Sequence, residues 1–116
     1  MHFEQFVEDQ VFSPTLVADA LRTTKTEIAG TLGLGKDAFT RASRVRARKT
    51  QASLRQMLEI LNRVESATGS PLAAYAWFRG GPLPGFGGAT ADLLVRDGRA
   101  ADVHAYLDRI MAGGHA

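Results

Sequence analysis

The stretch from Trp77 to Gly98, "WFRGGPLPGFGGATADLLVRDG", decides how this 116-residue chain is organised. Seven of the nine residues from Gly80 to Gly88 are glycine or proline, and a helical pattern stands on each side of them. Pro82 and Pro84 restrict the backbone, while Gly85, Gly87 and Gly88 permit positive φ or a close backbone approach. Such a stiff corner fixes the helices after it against those before it. Phe86, in the middle, is either a plug in the core or an exposed anchor for a partner, and Trp77 offers the same two readings. The corner is not a nucleotide loop. It lacks a preceding strand and the GxGxxG order, and no Gly-Lys-Ser/Thr follows it.

Working outward, Thr90 can cap a short helix "ADLLVRD" that Gly98 ends, and a last helix runs from about Arg99 to Met111. Its apolar stripe is Val103, Tyr106, Leu107, Ile110 and Met111, and "AGGHA" follows as a tail. Before the corner, "SPLAAYAWF" starts a helix at Pro71. The longest element spans roughly Gln51 to Thr68, with Leu54, Met57, Leu58, Leu61 and Val64 at helical spacing and Gly69 at its end. Ser13 and Pro14 open an earlier helix. Thr24 opens the next, with Glu27 completing a capping box and Gly33 as its stop. "KDAFTRASRVRARKT" reads as a third helix. The opening "MHFEQFVEDQVF" is a short helix or a loose arm. No alternation long enough to demand a strand occurs, so the expected fold is all helical. Residues 1–50 would form a helix-turn-helix unit with its arm, and residues 51–116 a second helical domain.

Two short helices joined by "GLG" have helix-turn-helix spacing. In a DNA-binding version Lys36, Asp37 and Thr40 would lie near base edges, followed by Arg41 and Arg44. Arg46, Arg48, Lys49 and Arg55 would meet phosphates. Between Lys36 and Arg55 there are seven basic residues and one acid, whereas Gln56 to Ala116 has five basic residues and six acids. The net charge of +2 therefore hides a local positive field. The other reading of the same run is a solvated helix face. Asp37 would read a cytosine amine or cap the third helix.

Enzyme chemistry finds little support. His2, His104 and His115 are scattered, Asp92 and Asp97 diverge, and no cysteine is present for a thiolate metal site or a disulfide. No cofactor or metal is expected. The N-terminal acids do not suit a secretory signal and no membrane-length apolar run occurs, so a soluble cytoplasmic protein is the expectation.

In order, Trp77, Pro84, Phe86, Gly87, Gly88, Leu93, Leu94, Gly98, Val103, Leu107, Ile110 and Gly113 resemble the C-terminal toxin-binding domain of the Xre/MbcA/ParS antitoxin family. The likeness covers about Leu54 to Gly113 and extends more weakly over the helix-turn-helix. Many members carry proline after the threonine of the short helix, where this chain has Ala91. The resemblance implies a non-enzymatic antitoxin of a type II system, paired with a RES-domain toxin that degrades NAD or uses it for ADP-ribosylation. It also implies repression of the shared operon through operator DNA. Toxin-binding residues would be Trp77, Phe86, Arg96, Arg99 and Arg109, with Gly113, Gly114, His115 and Ala116 entering or covering the toxin's NAD cleft. A homodimer or a larger toxin–antitoxin assembly is expected, through the long helix or the aromatic arm. The alternative is a stand-alone helix-turn-helix regulator whose C-terminal half dimerises.

Overall fold

Hydroxyl caps and left-handed stops divide the chain. In the computed structural model, which describes residues 1–113, a 3-10 turn at Phe3–Phe6 leads into strands β1 (Val7–Glu8) and β2 (Val11–Phe12). Seven helices follow: α1 (Pro14–Ala20), α2 (Lys25–Thr31), α3 (Ala42–Val45), α4 (Arg48–Thr68), α5 (Pro71–Gly80), α6 (Ala91–Arg96) and α7 (Ala100–Gly113). Ser13, Thr24 and Ser70 each accept the N–H three residues on, at 3.2, 3.1 and 3.1 Å, removing one orphan donor from α1, α2 and α5. The stops of α2 and α6 are Schellman turns. Gly33 and Gly98 sit at φ 67° and 75°, and the following Leu34 and Arg99 amides reach back to Ala29 and Leu94 at 2.8 Å. The α1 stop has the same bonds with Arg22 in the left-handed position, at φ 54°.

The fold is predominantly helical, as expected, with one addition. Val7 pairs with Phe12 and Glu8 with Val11, across a turn in which Asp9 and Gln10 both have positive φ. That is the two-residue turn whose twist suits a hairpin. Two residues per strand are too few to leave an alternating pattern, so the sequence suggested only an arm.

The third helix is corrected more heavily. Lys36 to Thr40 form hydrogen-bonded turns, α3 is a single turn, and Arg48 and Lys49 already belong to α4. Phe39 is 4% exposed, and seating it with Ala38 in the core breaks the segment away from a helical path. Gln51 holds the pieces together. Its amide accepts from the Phe12 N–H (2.8 Å) and donates to the carbonyls of Phe12 (3.0 Å) and Val45 (2.9 Å).

One apolar cluster runs from Phe6 to Leu107. Leu54, Met57, Leu58, Ile60 and Leu61 of α4 are fully buried at its centre, joined by Phe78, Leu83, Leu94, Val103 and Leu107. The division anticipated at residue 50 falls inside α4, whose first turns carry Gln51 and Arg55 against Phe12.

Candidate functional site

Gly69 turns left-handed (φ 101°) and Ser70 at once caps α5, so only two residues separate α4 from α5. The last turns of α4 carry small residues, Ala67 and Thr68, where α5 passes and α7 closes over. The space left is an open groove of about 470 Å³ lined by Val64, Ala67, Thr68, Trp77, Leu107, Ile110 and Met111. Thr68 commits its hydroxyl proton to the Val64 carbonyl at 2.8 Å, and the other lining side chains are aliphatic or, in Trp77 and Met111, largely apolar. Ile110 is 49% exposed although it continues the apolar stripe of α7. Trp77 is half-buried, in the core by one edge and in the groove by another. At the groove's edge Arg63 ties α4 to α7, meeting His104 Nδ1 (3.0 Å), Asp108 (2.7 Å) and Met111 Sδ (3.7 Å).

The corner positions Trp77 from behind. A Cβ on Gly81 would lie 2.5 Å from Trp77 Cδ1 and 3.0 Å from the Trp77 carbonyl oxygen, so only glycine lets the indole lie against this backbone. The loop then doubles back, with the Leu83 N–H on the Ala89 carbonyl (2.9 Å) and Pro82 bridged to Thr90. Gly85, Gly87 and Gly88 all take positive φ. The core plug is Leu83, 1% exposed, rather than Phe86. Phe86 is half-buried beneath the Arg99 guanidinium, 5.6 Å from the ring centre. Thr90 stands at the N-cap of α6 without capping. Its hydroxyl bonds Asp92, whose carboxylate accepts the Leu93 N–H instead.

The proposed toxin-binding arginines are engaged differently. Arg99 pairs with Asp102 at 2.7 Å and Arg109 lies over Tyr106. Arg96 faces the N-terminal half: its Nε donates to the Thr31 carbonyl (2.8 Å), its stem covers Gly33, and it sits 3.6 Å from Asp92. It lines different clefts from the one holding Trp77. Arg79 completes this seam by pairing with Glu27 at 2.7 Å. The Glu27 carboxylate accepts from the Thr23 hydroxyl and pairs with Arg79 instead of closing the expected capping box, and these two partners hold its carboxyl below its ordinary range. Tyr75 donates to Thr31 Oγ1 (3.0 Å), since that hydroxyl gives its own proton to the Glu27 carbonyl; burial pushes the phenol pKa up. Gly113 is described only as the end of α7, and Gly114, His115 and Ala116 lie outside the described residues.

In the basic segment, Lys36, Arg44 and Lys49 line one cleft, while Arg46 donates to the Asp9 carbonyl (3.1 Å) in another. Arg41 is exposed at the N-cap of α3, Arg48 is exposed at the start of α4, and Thr40 hydrogen-bonds back to Asp37. Arg55 stacks over Phe12 at 5.1 Å.

Sequence reading overlooked Gly81, Gln51 and Arg63. Their roles depend on which distant backbone or side chain folds onto them, and local spacing carries no sign of that. Ile110 was legible as part of a stripe, but its exposure was not. Among the described residues no three His, Asp or Glu side chains gather as a metal site, and no helix is long and apolar enough to cross a membrane.

No curated protein and no solved structure matches the chain. The groove, the glycine corner and the helices α6 and α7 all fall within one matched region. Residues 63–113 fit the family model of the antitoxin Xre/MbcA/ParS C-terminal toxin-binding domain, a binding module rather than a catalytic one.

Proposed function

We propose that this protein is the antitoxin of a type II system and neutralises a RES-domain toxin by docking the C-terminal face on it. The single observation carrying the proposal is the apolar groove with half-exposed Ile110 and Trp77 at its wall, lying inside the matched toxin-binding region. An open, largely apolar cleft suits an apolar anchor side chain from another protein. Arg99 and Arg109, held over Phe86 and Tyr106, add cations to the C-terminal face. In this reading the segment 113–116 covers the toxin's NAD cleft. The cations between Lys36 and Arg55 hold the phosphates of operator DNA, and it is the toxin–antitoxin assembly as a whole that selects the operator and represses its own operon.

The direct test is co-expression with the RES-domain protein of the same locus. The expected result is a stable complex in which NAD consumption is suppressed, with binding lost in Ile110→Asp. Free NAD consumption in the presence of excess wild-type chain would overturn the reading. Removing residues 113–116 is expected to restore NAD consumption more than it weakens the complex; full inhibition by the truncated chain would exclude the tail as the plug.

A further inference from the structure

The segment that carries the positive charge is not one continuous recognition helix. A recognition helix places three or four side chains in the major groove from one continuous helix. Here Lys36 to Thr40 are turns, and α3 presents only Ser43 and Arg44 as exposed polar side chains. Gln51, the residue in the first turn of α4 with an amide able to read adenine, has both amide atoms bound to Phe12 and Val45. Thr50 is buried.

The cations, by contrast, are unspent. Among the described residues none of Lys36, Arg41, Arg44, Arg48 and Lys49 makes an ion pair. Lys36, Arg44 and Lys49 come from a turn, α3 and α4 and converge on one cleft of about 500 Å³, opposed by the single carboxylate of Asp37. Three like charges brought together without partners repel one another, and a polyanion relieves that repulsion.

From this convergence we propose that the cleft of Lys36, Arg44 and Lys49 binds the phosphate backbone of duplex DNA without selecting its sequence. The inference rests on the DNA-binding part of the function proposed above and specifies its mode. Single strands are disfavoured because Phe39, the only aromatic residue from 36 to 55, is buried, leaving no platform for base stacking. An anionic membrane is disfavoured because none of the large exposed apolar side chains, Val7, Leu72, Leu93 and Ile110, lies in this segment.

The test is fluorescence anisotropy of the full chain with two duplexes: the sequence upstream of its own operon, and a shuffled duplex of equal length and composition. Affinities are expected to agree within about threefold. With three to five phosphates neutralised, both should fall about 40- to 500-fold between 50 and 200 mM salt. Lys36→Glu, Arg44→Glu and Lys49→Glu together should abolish binding, and the corresponding glutamine triple should weaken it on an intact fold. A preference above about 30-fold for the operon sequence would overturn the proposal. So would unchanged binding by both triples, or tighter binding to phosphatidylglycerol vesicles than to either duplex. Capture of the RES-domain toxin by the same triples separates the two questions. Loss of DNA binding with capture retained supports the cleft assignment; absence of capture in wild type strikes the antitoxin reading alone.

Discussion

Two regions of this molecule handle the same residue type in opposite ways. From Lys36 to Arg55 there are seven cations, and among the described residues none is ion-paired. In the C-terminal region Arg63, Arg79, Arg96 and Arg99 pair with Asp108, Glu27, Asp92 and Asp102. Arg63 ties α4 to α7, Arg79 ties α5 to α2 and Arg96 reaches the Thr31 carbonyl across the same seam, whereas the Arg99–Asp102 pair is local. Within the first set Arg46 bonds the Asp9 carbonyl and Arg55 stacks on Phe12, while Lys36, Arg41, Arg44, Arg48 and Lys49 make no ion pair among the described residues. Arginine count alone therefore says nothing about function; what separates the regions is whether an acid lies within reach. A charge without an internal partner is available to an external one, whereas the C-terminal face offers its partner shape and apolar area.

The largest effect that could break this contrast is Leu83→Ala. Leu83 plugs the corner into the core, and its loss should cost about 3 kcal/mol in urea unfolding. Replacing Lys36, Arg44 or Lys49 with glutamine should change stability by no more than about 0.5 kcal/mol each. Comparable losses in the two regions would show that the basic segment is part of the fold after all. Next comes Gly81→Ala. The new methyl must displace Trp77, so a loss of about 1–3 kcal/mol is expected together with a shift of indole emission. An unchanged emission spectrum would mean that Trp77 is not held by the corner. Smaller and opposite in sign is Arg22→Gly, which removes a side chain from a left-handed position and should stabilise the protein by about 1 kcal/mol in the same unfolding assay.

The smallest effect concerns the seam between the regions. The folded-state pKa of Glu27 is depressed by the Thr23 hydroxyl and Arg79. Its contribution to stability is therefore present above the ordinary glutamate range, and it is lost as pH falls through the lowered value. Stability-versus-pH curves of wild type and Glu27→Gln should converge in acid and separate toward neutrality. Parallel curves would remove Glu27 from the seam.

Much of the C-terminal region was legible because its signals are local. Ser70-Pro71, Gly69, Gly98 and the α7 stripe are read from neighbours within one or two turns, and those helices stand where expected. The basic segment misled for a physical reason. Its alanines and arginines favour helix, but burying Phe39 and binding Gln51 to Phe12 break the path, and both are tertiary demands. Phe86, the largest side chain in the corner, fitted either a core plug or an exposed anchor. The turn geometry instead directs Leu83 inward and leaves Phe86 under Arg99. The groove was not legible at all, since it exists only where α4, α5 and α7 fail to fill the space between them.

The division of labour between the two regions is tested most directly by measuring RES-domain toxin capture for Ile110→Asp and for the Lys36→Glu, Arg44→Glu, Lys49→Glu triple side by side. Ile110 is half-exposed, so the aspartate is accommodated by the fold but places a charge in the apolar groove. Capture should weaken at least about 30-fold in Ile110→Asp, the size of a strong interface anchor, and stay within about threefold of wild type in the triple. Full capture by Ile110→Asp together with loss in the triple would place the toxin on the basic segment and contradict the assignment of both faces.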